Sequence, residues 1–232
     1  MTEQLPNVII TEDGSSTLEQ INLKETYHSI HGAMNESMHI FINAGLKECS
    51  LKNQTINILE IGFGTGLNAL LSLVYSIAEE IKINYVSIEP FPISNTTIKE
   101  LNYPDMIGGN SKELFFSIHN SEWNQPVFIT DDFILNKILT SIQDVELSLN
   151  AFDVVYFDAF SPEVQPEMWT TDVFKKLFSA IKPNGILVTY SAKGQIKRNL
   201  KECGFIVEPI AGPKGKREIT RARKHLLADN IR

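Results

Sequence analysis

Residues 57–73, NILEIGFGTGLNALLSL, decide the fold. The first half is apolar, as in a buried strand, and the second half carries apolar residues at helical spacing. Gly62, Gly64 and Gly66 lie between the two halves. Glycine is needed where φ is positive or where a Cβ would block a close approach. A strand, a glycine-rich turn and a helix present a ligand to the N-terminus of the helix, so this stretch predicts a ligand site.

The rest of the chain repeats the alternation of strand and helix. It predicts a hairpin at 7–23, a helix at 33–48 and then an open, doubly wound α/β sheet. The predicted strands of the sheet are 56–62, 83–90, 126–130, 151–160, 185–191, 205–210 and 217–224. The predicted helices are 66–80, 93–102, 111–120, 132–145, 166–181 and 193–204. The last two strands are adjacent in sequence, so we expect one of them to be antiparallel.

Composition excludes several classes of protein. The chain has 232 residues, 43% hydrophobic and 21% charged, which is typical of a globular protein. We find no apolar run of the ~18 residues that a membrane helix needs and no secretory signal, so we expect no membrane contact and a cytoplasmic location. Cys49 and Cys203 stand far apart and His28 and His31 have no completing ligands, so no metal site is predicted.

Acidic residues follow the predicted strands. Glu60 precedes the glycine turn, Glu89 ends the next strand, and Asp131 and Asp132 follow the third. The carboxyl ends of parallel strands meet at one edge of a sheet, where a carboxylate can accept both ribose hydroxyls and another can meet an adenine amine. An acid at Glu60 would repel a pyrophosphate and suits a cationic sulfonium nucleoside. The dinucleotide pattern would require glycine where Leu67 stands, which weakens a nicotinamide or flavin interpretation.

A second informative stretch is 152–170, FDVVYFDAFSPEVQPEMWT. Asp158 follows the fourth strand and is predicted to face the same crevice. Methyl transfer needs an acceptor held in line with the methyl group, and an alkyl amine with a pKa near ~10 must first lose a proton. We predict that Asp158 takes this proton, with binding of the cofactor's amine as its other possible role. Phe160 and Trp169 are candidates for stacking on a base.

The chain resembles one family in four ordered motifs: EIGFGTGLNALL, YFDAFSPEVQPEMWT, YSAKGQIKRNLKECGF and GPKGKRE. It is the family of tRNA 5-aminomethyl-2-thiouridine methyltransferases, and the resemblance covers residues 11–224. It implies a seven-stranded class I S-adenosylmethionine-dependent (Rossmann-like) fold, an N-terminal extension at 1–50 and a methyltransferase domain at 51–232. The implied residues at the cofactor are Tyr27, Glu60, Gly62, Phe63, Gly64, Gly66, Asn68, Glu89, Asp131, Asp132 and Asp158, and the active-site aspartate is Asp158.

The resemblance also implies a substrate, the aminomethyl group of the wobble uridine of tRNA, and as partners a separate oxidase or the upstream wobble-modification enzymes. Residues 193–224 hold ten basic and three acidic residues in a chain of formal charge −7. Such a patch can hold the phosphates of an anticodon stem-loop or simply be solvated. The predicted tRNA contacts are Phe160, Trp169, Lys193, Lys214, Lys216, Arg217 and Arg221.

Two other functions remain open from the residues. The same fold can transfer a methyl or aminopropyl group to a small amine. A non-catalytic protein that binds tRNA or the cofactor for another enzyme is the second alternative.

Overall fold

The computed structural model describes residues 6–49 and 54–225. The chain begins with a small antiparallel sheet of β1 (Asn7–Ile10), β2 (Ser16–Gln20) and β3 (Glu25–Thr26). The predicted hairpin is therefore confirmed, with β1 and β2 paired across the turn that contains Gly14. The predicted boundary between extension and domain, at residue 50, lies outside the described residues.

The predicted helix at 33–48 is present but changes its winding. It starts as α1 (Ala33–Ser37), continues as a π-helix (Met38–Leu46) and ends as α2 (Lys47–Cys49). The π-helix buries three consecutive residues, Ile40, Phe41 and Ile42, against the large sheet. Successive residues of an α-helix lie about 100° apart, so regular α-helical winding would not bring all three to one face.

The large sheet has eight strands in the order β10-β11-β9-β8-β4-β5-β7-β6. They are β4 (Thr55–Ile61), β5 (Lys82–Ile88), β6 (Pro126–Thr130), β7 (Phe133–Ile138), β8 (Phe152–Phe157), β9 (Ile181–Thr189), β10 (Ile206–Ala211) and β11 (Glu218–Arg223). Six strands run in one direction, and β6 and β11 are antiparallel to their neighbours. The doubly wound α/β fold and the antiparallel strand near the C-terminus are confirmed.

Helices cover both faces of this sheet. They are α3 (Leu67–Glu79), α4 (Asn95–Glu100), α5 (Tyr103–Ile107), α6 (Ser111–Asn120), a 3₁₀-helix (Pro166–Trp169), α7 (Thr171–Ala180) and α8 (Gly194–Glu202). Two apolar cores result. Ile58 faces the core under α3 and the π-helix, whereas Leu59 faces the core under α7 and α8. No helix of the described residues has the length and apolarity to cross a bilayer.

One predicted helix is wrong. Residues 133–138, inside the predicted helix 132–145, form β7, which pairs in parallel with β5. The predicted third strand, 126–130, is instead the antiparallel edge strand β6. The sheet therefore has eight strands and not seven. The reversal between β6 and β7 also moves the residues between them to the other edge of the sheet.

Candidate functional site

A cavity of about 890 Å³ lies at the carboxyl edge of the sheet. Its walls come from the glycine turn, from the segments after β5, β7 and β8, and from the N-terminal sheet. This volume is in the range of small-molecule sites, which reach about 1,000 Å³. Nine of the predicted site residues line it: Tyr27, Gly62, Phe63, Gly64, Asn68, Glu89, Asp158, Phe160 and Lys216. The cavity is therefore the place where a ligand can meet most of the predicted residues.

The glycine turn is tight because the chain itself packs against it. Gly62 has φ +92°, and a Cβ there would lie 2.7 Å from the carbonyl oxygen of Asp158. At Gly64, φ is +49° and a Cβ would lie 3.1 Å from the ring of Tyr27. Gly66 is the N-cap of α3 and does not line the cavity. The glycines thus bring Asp158 and Tyr27 against the turn, whereas the sequence suggested only a ligand there.

Asp158 lies on the cavity wall, directly after β8. Its amide N donates to the carbonyl of Ile61 at 3.0 Å, and its Oδ2 accepts from Nδ2 of Asn68 at 2.8 Å. Burial raises the pKa of this carboxyl to about 7, and the Asn68 hydrogen bond opposes the rise. A carboxyl that titrates near neutral pH can accept a proton and release it again.

Two glutamates flank the turn in different ways. Glu89, after β5, lines the cavity, and its two carboxylate oxygens accept from the backbone N of Gly64 at 3.1 Å and of Phe91 at 2.8 Å. Glu60 is fully buried behind the cavity wall, where Ser87 Oγ donates to its Oε2 at 2.7 Å. Burial raises the pKa of Glu60 to about 8. Glu60 therefore lies outside the set that lines the cavity.

Phe160 and Trp169, the two aromatic residues predicted to stack on a base, lie in different environments. Phe160 lines the cavity with its ring 5.0 Å from that of Tyr27, edge to face. Trp169 is buried in the core against Phe157, and its Nε1 donates to the carbonyl of Phe160 at 2.8 Å. The prediction that Trp169 stacks on a base is therefore wrong, since the indole supports the loop from behind.

Asp131 and Asp132 do not line the cavity, contrary to the prediction from the sequence. Both lie in the turn between β6 and β7, at the amino edge of the parallel strands. Asp132 pairs there with Lys82, the first residue of β5, at 3.4 Å. The prediction that one of them meets an adenine amine is wrong because the strand that follows them runs toward the cavity. The segment after β7 brings Ser141 and Ile142 to the cavity instead.

Six of the ten basic residues of the segment form ion pairs, with acids of the segment itself and with acids from elsewhere in the chain. Arg221 binds Glu208 at 2.7 Å and Glu48 at 2.9 Å, with its side chain 14% exposed. The interpretation of Arg221 as a phosphate contact is therefore wrong. Lys193 and Lys214 each pair with a glutamate on the surface, and Arg217 is exposed. These three stay predictions as tRNA contacts.

Glu36 and Tyr190 line the cavity although the sequence analysis did not select them. Glu36 is 7% exposed at the end of α1, within a stretch that reads as an apolar helix. Tyr190 directly follows β9, and its hydroxyl donates to the carbonyl of Ala159 at 3.0 Å. The rule that selected Asp158, proximity to a strand's carboxyl end, also applies to Tyr190.

The residues present fit S-adenosylmethionine. Oδ1 of Asn68 is a buried acceptor without a partner among the described residues, which suits a donor such as the amino group of that ligand. The carboxyls of Asp158 and Glu89 border the cavity and have no ion-pair partner in the part of the chain that the structure describes, and negative charge there favours a cation over a pyrophosphate. Glu89 would hold the ribose hydroxyls, and Oδ1 of Asn68 would hold the amino group at the cationic end.

Comparisons with known proteins agree with this fit. The profile of a family described as S-adenosyl-L-methionine-dependent methyltransferase matches residues 118–225. A solved structure, MNMC2 from Aquifex aeolicus, superposes with a TM-score of 0.76 at 26% identity and covers 95% of this chain and 71% of that one. Spermidine synthase from Thermotoga maritima, at 14% identity and a TM-score of 0.52, shares the fold. The chain is an S-adenosylmethionine-dependent methyltransferase with the class I α/β fold.

The curated relatives name a particular family. The tRNA 5-methylaminomethyl-2-thiouridine biosynthesis bifunctional protein MnmC of Burkholderia thailandensis is 28% identical over 94% of this chain and 35% of its own length. An uncharacterized Methanocaldococcus jannaschii protein, MJ0670, is 28% identical over 94% of this chain and 59% of its own. This chain is related to the methyltransferase part of the MnmC proteins, and it spans about a third of the length of those relatives.

Proposed function

We propose that this protein methylates the nitrogen of the 5-aminomethyl group on the wobble uridine, or 2-thiouridine, of tRNA in the cytoplasm. The product is the 5-methylaminomethyl nucleoside. The observation that carries the proposal is Asp158, a carboxyl at the cavity wall whose pKa burial raises to about 7. The relatives named for 5-methylaminomethyl-2-thiouridine biosynthesis support the choice of acceptor.

S-adenosylmethionine, when bound, supplies an electrophilic methyl carbon whose bond to sulfur breaks with the electron pair kept by sulfur. The acceptor amine arrives largely as an ammonium ion, because alkyl amines have pKa values near ~10. Asp158 takes one proton from this ammonium and so leaves a lone pair on nitrogen. Asn68 holds Asp158 through Oδ2, so the other carboxyl oxygen is available for the proton.

The mouth of the cavity suits a planar base. Phe91 is 75% exposed, Ile30 53% and Leu23 41%, and all three line the cavity. The wobble base lies in a single-stranded loop, and an unstacked base can be turned out onto such apolar side chains. This rim supports the proposal of a nucleoside acceptor over a free small amine.

The test is methyl transfer to tRNA isolated from cells that lack this activity. We expect 5-methylaminomethyl nucleosides, identified by mass spectrometry after digestion, to form only with S-adenosylmethionine and enzyme. Free alkyl amines at equal concentration serve as the competing acceptors. Methylation of the amines without methylation of tRNA would overturn the proposed acceptor. Binding of tRNA and cofactor without turnover would overturn the assignment as an enzyme.

A further inference from the structure

The loop between β10 and β11, residues 212–217, crosses to the N-terminal segment. Lys214 pairs with Glu12 at 2.8 Å, and Lys216 Nζ pairs with Glu36 Oε1 at 2.6 Å. The two lysines are two residues apart in the sequence but differ in their exposure to solvent. The side chain of Lys214 is 72% exposed, whereas that of Lys216 is 27% exposed and lines the cavity. Both lysines belong to the set that the sequence predicts as tRNA contacts, but only Lys216 lines the cavity.

Lys216 contacts the wall that carries Asp158. Its Nζ lies 4.2 Å from the centre of the Tyr190 ring, a cation–π distance. The hydroxyl of that tyrosine donates to the carbonyl of Ala159 at 3.0 Å, and Ala159 directly follows Asp158. A continuous series of contacts therefore runs from Glu36 through Lys216 and Tyr190 to the backbone beside Asp158.

Glu36 fixes the position of the lysine. Its Oε2 accepts from the backbone N of Ser29 at 2.7 Å, and its Oε1 faces Lys216. Glu36 is 7% exposed, so its charge needs the lysine as a partner. A lysine held in this way from both sides has little freedom to reach a phosphate outside the cavity.

We propose that Lys216 is a positioning residue of the methyl-acceptor site, and that the Glu36–Lys216 ion pair sets the charge and the location of Asp158 and takes no part in phosphate binding. Lys216 acts through Tyr190 on the loop that follows β8, and through its charge on the carboxyl itself. This inference rests on the proposed function for the role of Asp158 as proton acceptor.

The two members of the pair act on Asp158 with opposite signs. The charge of Lys216 lowers the pKa of Asp158, and the charge of Glu36 raises it. The other groups that face Asp158 are Asn68, which donates a hydrogen bond to it, and Glu60, Tyr85 and Tyr190, which interact with its charge. Neutralising Lys216 should therefore raise the pKa of Asp158, and neutralising Glu36 should lower it.

The first experiment measures this pKa directly, without cofactor or tRNA. Asp158 is followed by NMR titration of ¹³C-labelled aspartate carboxyls and assigned by its loss in Asp158→Asn. We expect a higher pKa in Lys216→Met, a lower one in Glu36→Gln, and an intermediate value in the double variant. Lys82→Met, which removes an ion-paired lysine at the amino edge, should leave the pKa unchanged. Shifts in the same direction for both variants, or none in either, would overturn the inference.

The second experiment separates positioning from phosphate binding. We expect Lys216→Met to lower kcat about 10-fold to 100-fold, as a displaced reacting group does, with the Kd for tRNA unchanged. Lys216→Arg should recover part of the rate, because it keeps the charge near Glu36 and Tyr190. A raised Kd for tRNA with unchanged kcat would assign Lys216 to phosphate binding. If Lys216→Met does not fold, Lys216→Gln and Lys216→Arg give the same comparison.

The NMR titration also keeps the two proposals apart. It depends only on the chain and not on which amine is methylated. A wild-type enzyme that methylates a small amine and not tRNA would overturn the proposed acceptor, while the opposite pKa shifts would still support the role of the Glu36–Lys216 pair.

Discussion

The two edges of the large sheet carry the same residue types in different environments. At the carboxyl edge, burial raises the pKa values of Asp158 and Glu89, and both line the cavity. At the amino edge, Asp132 is half exposed and pairs with Lys82 at 3.4 Å. Strand direction therefore decides which acids form a site and which form a surface ion pair. Substitutions at the two edges should therefore differ in their effects on turnover and stability.

The largest expected effect is that of Asp158→Asn. Asparagine keeps the shape and the contact with Asn68 but cannot take a proton from an ammonium. We expect kcat to fall about 10²-fold to 10⁴-fold, the range of general acid–base catalysis. The measurement is initial methyl transfer to tRNA at saturating substrates, with calorimetry to show that S-adenosylmethionine still binds. Unchanged turnover would remove Asp158 from the proposed chemistry.

Gly62→Ala should have the next largest effect. Its Cβ would lie 2.7 Å from the Asp158 carbonyl oxygen, at φ +92°. We expect a loss of about 1–3 kcal/mol in the free energy of unfolding, the usual cost of a strained residue, together with slower turnover. Urea denaturation measures the first and methyl transfer the second.

Gly14→Ala is the matched control for Gly62→Ala. Gly14 has φ +87° and no atom within 4 Å of the added Cβ, so it carries the same backbone strain without the clash. Equal losses of stability in the two variants, with full turnover in both, would show that the contact between the turn and Asp158 has no functional role.

Turnover should also depend on pH through Asp158. The carboxylate form accepts the proton, and burial raises the pKa of this group to about 7. The rate should therefore rise with pH through about 7 and fall about 10-fold per pH unit well below it. A pH series of kcat/KM measures this. If kcat/KM fell only near pH 4, the ordinary pKa range of an aspartate, the result would contradict the buried environment of Asp158 at the carboxyl edge.

The smallest effect is expected at the amino edge. Asp132→Asn breaks an ion pair whose carboxylate side chain is 51% exposed. Such surface pairs contribute about 0–1 kcal/mol, so stability should change little. Calorimetry should give the same affinity for S-adenosylmethionine as in the wild type. A large loss of cofactor affinity would restore the original interpretation of this acid.

The sequence was sufficient to predict the strands and the helix around the glycine turn, but not β7. The inward positions of β7 are Phe133, Leu135 and Lys137. Because one of them is a lysine, the sequence does not show the alternation of apolar and polar residues that is typical of a strand. Lys137 is tolerated there because its Nζ donates to the carbonyl of His119 at 2.7 Å and lies 4.7 Å from the Trp123 ring. These partners are distant in sequence, so no local pattern reveals them.

The same reason explains the site residues that were missed or misassigned. Asp158 and Glu89 were found because strand ends are local features. A count of charges in 193–224 gave a basic patch, but it did not include the acids that neutralise it, such as Glu36 for Lys216 and Glu48 for Arg221. Electrostatic partners are a property of the tertiary structure. The charge pattern therefore identified the basic segment, but it could not show which of its residues form ion pairs within the protein.

The π-helix at Met38–Leu46 fixes the angle about the helix axis between Glu36 and the residues that anchor the helix in the core. Glu36 lies just before it, and the residues anchored in the core lie within it. A π-helix bonds each residue to the fifth one along, so it holds roughly one extra residue per turn compared with an α-helix. Removing one residue while the segment stays π-helical would rotate the Glu36 carboxylate relative to these anchors. Homologous chains that differ by one residue here would therefore have to partner the loop lysine from another position.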